Sequence, residues 1–172
     1  MTLFTRIATT ALAATCLLGQ VGAAQAHHIK QQPFVKAETM QLLRSARAAG
    51  IQIFTEGDPS TRGQCRDGLY GMANNSRQLL ICVSNHGDDV DELADTIRHE
   101  LIHSAQFCKG NGRNALLYPE QADTFLDLAR NQLHMPMDRY KPAKHAAEAE
   151  ARVLAHVMEE HEVAAELSRY CS

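Results

Sequence analysis

Apolar and polar positions alternate along the chain with two different periods, and the change of period divides it into elements. Between residues 35 and 49, Val35, Thr39, Met40, Leu42, Leu43 and Ala46 recur at helical spacing, and Gly50 supplies a stop. Ile51-Gln52-Ile53-Phe54 reads as a short strand, followed by a turn-rich segment from Gly57 to Gly63. Two further strands are expected at residues 69–73 and 78–83, joined through Asn74-Asn75-Ser76. The second, QLLICVS, has the β-branched and apolar content of an interior or near-edge strand.

After Asn85-His86-Gly87 the period returns to that of a helix. Asp89 and Glu92 form a capping pair, and Leu93, Ile97, Leu101 and Ala105 make the packing stripe. Gly110 to Asn114 form a loop. Pro119 suits the first turn of a helix running to about His134, and Pro136 and Pro142 bracket a connector containing Tyr140. The last helix is expected to run unbroken from about Ala143 to Leu167. No repeat or linker interrupts residues 27–172. The pattern therefore predicts one α+β domain, mostly helical, with a small antiparallel sheet preceding the helix that begins near Asp89.

Composition narrows the partners. The 172 residues are 45% hydrophobic and 22% charged, which suits one globular domain, and the formal net charge of -3 lacks the positive surplus of a nucleic-acid binder. Residues 1–26 read as a secretory signal peptide, with Arg6 in the charged region, Ile7 to Leu18 apolar, and Ala24-Gln25-Ala26 as the cleavage site. The apolar run is too short for a stable span, and Thr15 before Cys16 disfavours a lipoprotein. A secreted or periplasmic protein with no stable membrane association after cleavage is expected. Four cysteines remain, and an even number in an exported chain suggests two disulfides. Cys65 and Cys82 flank a hairpin-like stretch and Cys171 at the end needs an anchor, which favours Cys65–Cys82 and Cys108–Cys171.

The sharpest chemical signal is His99-Glu100-Leu101-Ile102-His103. Residues four apart on a helix share a face, so both imidazoles can reach one metal ion, and Glu100 can serve as general base toward a water. A structural zinc site would offer four protein ligands, and only two are clear here. A third must come from elsewhere, and the alanine-rich final helix offers Glu148 and Glu150. Candidate donors to a developing oxyanion are Tyr140, Tyr118 and His134.

HExxH on one helix with Glu148-Ala149-Glu150-Ala151 on a later one resembles the gluzincin metallopeptidases. The resemblance covers roughly residues 78–108 and 148–155. It implies a zincin-like domain holding one Zn2+ through His99, His103 and Glu148, with Glu100 as the base for peptide hydrolysis. It also implies that QLLICVS presents an open edge to an extended peptide or protein substrate. Arg152 stands where such families often carry Asp or Asn. Helical phase points instead to Glu150, which shares a face with Val153, Leu154 and Val157, so the third ligand stays open between the two carboxylates. His134, Asp138 and His145 are the remaining donors should that helix supply none. Two other functions fit the same residues: a non-peptidase zinc hydrolase of amides or esters, and a disulfide-stapled binding protein without catalysis.

Overall fold

The computed structural model describes residues 35–66 and 68–171. The expected signal peptide at residues 1–26 lies outside the described residues. Among those described are five α-helices and a small sheet: α1 (Ala37–Ala48), β1 (Gln52–Thr55), β2 (Gly71–Ala73), β3 (Gln78–Ile81), α2 (Val90–Lys109), α3 (Ala122–Asn131), α4 (His145–Val157) and α5 (Glu160–Cys171). The protein is thus a mostly helical α+β domain whose sheet precedes α2. None of the described helices is long and apolar enough to cross a membrane.

The sheet is mixed rather than wholly antiparallel. Its order is β1-β3-β2, with β2 antiparallel to β3 and β1 parallel to it. β3 takes the centre because Leu79, Leu80 and Ile81 are all buried, whereas β2 carries Met72 outward. The chain between β1 and β2 makes the crossover that a parallel pair requires. Consequently QLLICVS does not offer an open edge: β3 is hydrogen-bonded on both sides, and the outer strands are β1 and β2. The β2–β3 turn is closed by Asn74, whose side-chain oxygen accepts from Ser76 N and Gln78 N, with Arg77 at φ 57°.

α2 is the axis of the domain. Asp89 caps it by accepting from the backbone of Asp91 and Glu92. From Leu101 to Gln106 every side chain is buried, because α2 packs against the sheet, α4 and α5 at once. Ala149, Ala151 and Ala155 on α4 have no exposed surface, and their small size lets that helix lie close to its neighbours.

The expected single last helix is two. α4 ends at Val157, Met158 is extended (ψ 141°), and α5 restarts at Glu160. Arg98 accounts for the break: its Nε donates to the Ala155 carbonyl and its Nη1 pairs with Glu160 Oε1 at 2.9 Å. The cation occupies the carbonyl end of α4 and the carboxylate at the start of α5 together. Both expected disulfides are present, Cys65–Cys82 and Cys108–Cys171; the second joins the end of α2 to the end of α5.

Candidate metal centre

His99 and His103 stand one turn apart on α2, and Glu148 approaches them from the first turn of α4. His103 Nε2 lies 3.1 Å from His99 Nε2 and 3.2 Å from Glu148 Oε2; His99 Nε2 lies 3.7 Å from the same oxygen. The three donors fall within 4.8 Å of one another. Donors sharing one tetrahedral ion at bond lengths of ~2.0–2.2 Å stand about 3.3–3.6 Å apart, so these separations suit a single ion. Two imidazole nitrogens and a carboxylate are also a donor set that zinc accepts. The triad on two helices is consistent with a zincin-type metal site.

Charge within the cluster is balanced locally. Burial alone pushes the Glu148 carboxyl up, but hydrogen bonds from His103 and His99, with their charges, outweigh it and hold it at about 2. Burial lowers His103, and the Glu148 hydrogen bond, the Glu100 and Glu148 charges and a contact with Gln106 together leave it raised. One turn before His99, Asp95 pairs with Arg152 Nη1 at 2.6 Å, and Arg152 follows Glu148 by one turn on α4. This ion pair pins α2 to α4 beside the triad. It also explains why arginine is compatible with the position after ExEA: its partner comes from α2, not from Glu148.

Glu148 and Glu150 are both buried, at 8% and 0% exposure, because α4 is packed between α2 and α3. Helical phase therefore does not separate a core face from a solvent face here. Glu148 faces the histidines; Glu150 accepts from Gln106 Nε2 and from the backbone of Leu117 and Tyr118.

Glu100 reaches toward β2, where the Ala73 N–H donates to its Oε2 at 2.7 Å. A groove of about 450 Å³ runs here, lined by Tyr70, Gly71, His99, Glu100, Pro136 and Tyr140 among others. Gly71 permits this closeness: a β-carbon there would stand 2.9 Å from Glu100 Cγ and 3.0 Å from Thr96 Cγ2. Of the three oxyanion-donor candidates, Tyr140 lines the groove. Its hydroxyl is raised by burial and by the charges of Glu148 and Glu100. Tyr118 is engaged elsewhere, donating to Glu166 Oε1 at 2.8 Å; burial and that carboxylate push it up to about 12. His134 is exposed, as is Asp138, and His145 Nε2 bonds to the Tyr140 carbonyl at 3.0 Å. None of these three joins the triad. Gln106, Asp95 and Gly71 went unmarked in the sequence; the i+3 spacing of Gln106 from His103 and the i−4 spacing of Asp95 from His99 were the available signals.

A family model described as a domain of unknown function (DUF8637) matches residues 33–172. No curated protein and no solved structure matches the chain.

Proposed function

The chain belongs to the DUF8637 family, and we propose that its metal centre is that of an exported zinc-dependent metallopeptidase of the gluzincin kind. The observation that carries the proposal is the His99/His103/Glu148 cluster beside a groove lined by His99, by Glu100, which is held by the Ala73 N–H, and by Gly71 of the edge strand β2.

His99, His103 and Glu148 would hold the ion. A bound zinc supplies Lewis acidity toward a substrate carbonyl and makes a neighbouring water more acidic. Glu100 takes the proton of the attacking water and delivers it to the departing amine, a transfer suited to a carboxylate in hydrogen-bond reach of both. The Ala73 N–H fixes one oxygen of Glu100 and leaves the other for that proton. Tyr140 is the donor placed to meet the developing oxyanion. The alternation of the β2–β3 pair, with Tyr70 O accepting from Cys82 N and Asn74 N donating to Gln78 O, turns the polar backbone groups of Gly71 outward. An extended peptide can pair there, so the substrate edge moves from β3, where the resemblance put it, to β2.

The test is digestion of a peptide library by the zinc-loaded protein, beside its Glu100→Gln variant. The wild type is expected to cleave, and the variant to keep about one zinc per chain while losing at least ~100-fold in turnover. Cleavage undiminished in Glu100→Gln overturns the mechanism. Hydrolysis of simple amides or esters with no peptide cut overturns the peptidase assignment.

A further inference from the structure

Gln106 and Glu150 form a buried pair behind His103, at the ring nitrogen remote from His99 and Glu148, and neither has exposed surface. The Gln106 amide nitrogen donates to the Ala147 carbonyl at 3.1 Å and to Glu150 Oε2 at 2.7 Å. Both of its N–H groups are thereby used, which fixes which way the amide faces. Its oxygen stands 2.8 Å from His103 Nδ1. An amide oxygen has no hydrogen to give, so that contact is favourable only with a proton on Nδ1. Glu150 is held in turn by N–H donors from Leu117 at 2.8 Å and Tyr118 at 2.7 Å.

We propose that Glu150 and Gln106 are positioning residues which keep a proton on His103 Nδ1 and so reserve Nε2, the nitrogen facing His99 and Glu148, for a metal ion. The purpose of this relay rests on the metal-centre assignment, but the proton's location can be read in the metal-free protein, where Glu148 Oε2 at 3.2 Å from Nε2 competes for it against Gln106 at 2.8 Å from Nδ1. The chain of orientation runs from two backbone N–H groups through a carboxylate and an amide to one ring nitrogen. Gln106→Met should break it. The thioether has the length of the amide but no oxygen to accept from Nδ1, and it leaves Glu150 on the Leu117 and Tyr118 N–H groups. Glu148 Oε2, beside Nε2, then draws the proton to that nitrogen.

The experiment is heteronuclear NMR of the His103 ring in metal-free protein, at a pH high enough for the ring to be neutral, with zinc competition as a separate arm. The wild type is expected to carry its proton on Nδ1. Gln106→Met is expected to lose it there and to bind zinc about 10–100-fold more weakly. Gln106→Glu, which shares one proton with the Glu150 carboxylate behind it, keeps an oxygen beside Nδ1. It should keep the proton on Nδ1 and most of the zinc affinity, which a merely structural role would not predict. If Gln106→Met fails to fold, Gln106→Leu removes the same acceptor and should likewise release the Nδ1 proton. A wild-type ring with no proton on Nδ1, or a folded Gln106→Met or Gln106→Leu ring unchanged from wild type, overturns the relay. Wild-type protein that holds the proton on Nδ1 yet binds no zinc supports the relay and overturns the metal centre instead.

Discussion

Glu148 and His103 stabilise one another, and each makes the fold depend on pH. The Glu148 carboxyl is depressed, so its contribution is present above its ordinary value of 4.5 and is lost as pH falls toward about 2. His103 is raised, so its contribution is complete below its ordinary value of 6.5 and fades as pH climbs through the raised value. The metal-free protein should therefore be most stable between those limits. Urea midpoints measured across that range should fall on both sides, and Glu148→Gln should flatten the acid limb. An acid limb unchanged in that variant would disprove the contact's share. A bound zinc would reverse the preference at His103, since a ligand nitrogen must shed its proton; as pH falls, affinity should begin to weaken at a higher pH than for an ordinary histidine. At this scale the HExxH letters exposed two of the three donors directly, because the spacing alone places them on one face. The choice between Glu148 and Glu150 was not legible, since periodicity reports a core face only when the other face meets water, and α4 is covered on both sides.

The elements themselves were largely legible, and their neighbours were not. The strands, the capped α2 and the helices after it all announce themselves in period and punctuation. Which strand is outermost depends on pairing, and side-chain pattern is silent about pairing; β3 read as a possible edge and lies in the centre. The break at Met158 carries no Gly or Pro. Its only local mark is Glu159 with Glu162 three residues on, whose carboxylate reaches back to the Glu159 N–H at 2.8 Å, half of a capping box. The rest is tertiary, supplied by Arg98. Gly71 is the position where strand and helix meet at the centre, and it gives the prediction proper to this scale. Gly71→Ala forces the new methyl against Glu100 and Thr96, with the Leu80 carbonyl at 3.3 Å leaving little retreat. Overpacking of this kind costs about 1–3 kcal/mol. Because the strain falls on Glu100 and spares the ligating atoms, turnover should drop more steeply than zinc affinity. Equal losses in the two measurements would mean that β2 supports the whole centre rather than the base.

At the scale of the molecule, two disulfides and one helix break decide how far stability and the metal centre are linked. Cys108–Cys171 closes a separation of 63 residues and Cys65–Cys82 one of 17. Loop-closure entropy then assigns the longer bridge about 4 kcal/mol and the shorter about 3 kcal/mol. An unbroken last helix would transmit loss of the Cys108–Cys171 tether straight to Glu148. The helix is broken, however, and the tether holds α5, while Glu148 stands on α4, which is pinned to α2 by Asp95–Arg152 on the near side of the break. Replacing Cys108 and Cys171 by serine should therefore lower the urea-derived stability by about 4 kcal/mol. Zinc affinity of the folded protein should change by less than the roughly tenfold that marks a damaged ligand support. Replacing Asp95 by asparagine should do the converse, weakening zinc while costing only the ~0–1 kcal/mol of a partly exposed ion pair. Unfolding curves and zinc competition on the same two variants measure both quantities. A serine pair that loses zinc as sharply as it loses stability would show that α5 reaches the centre across the break.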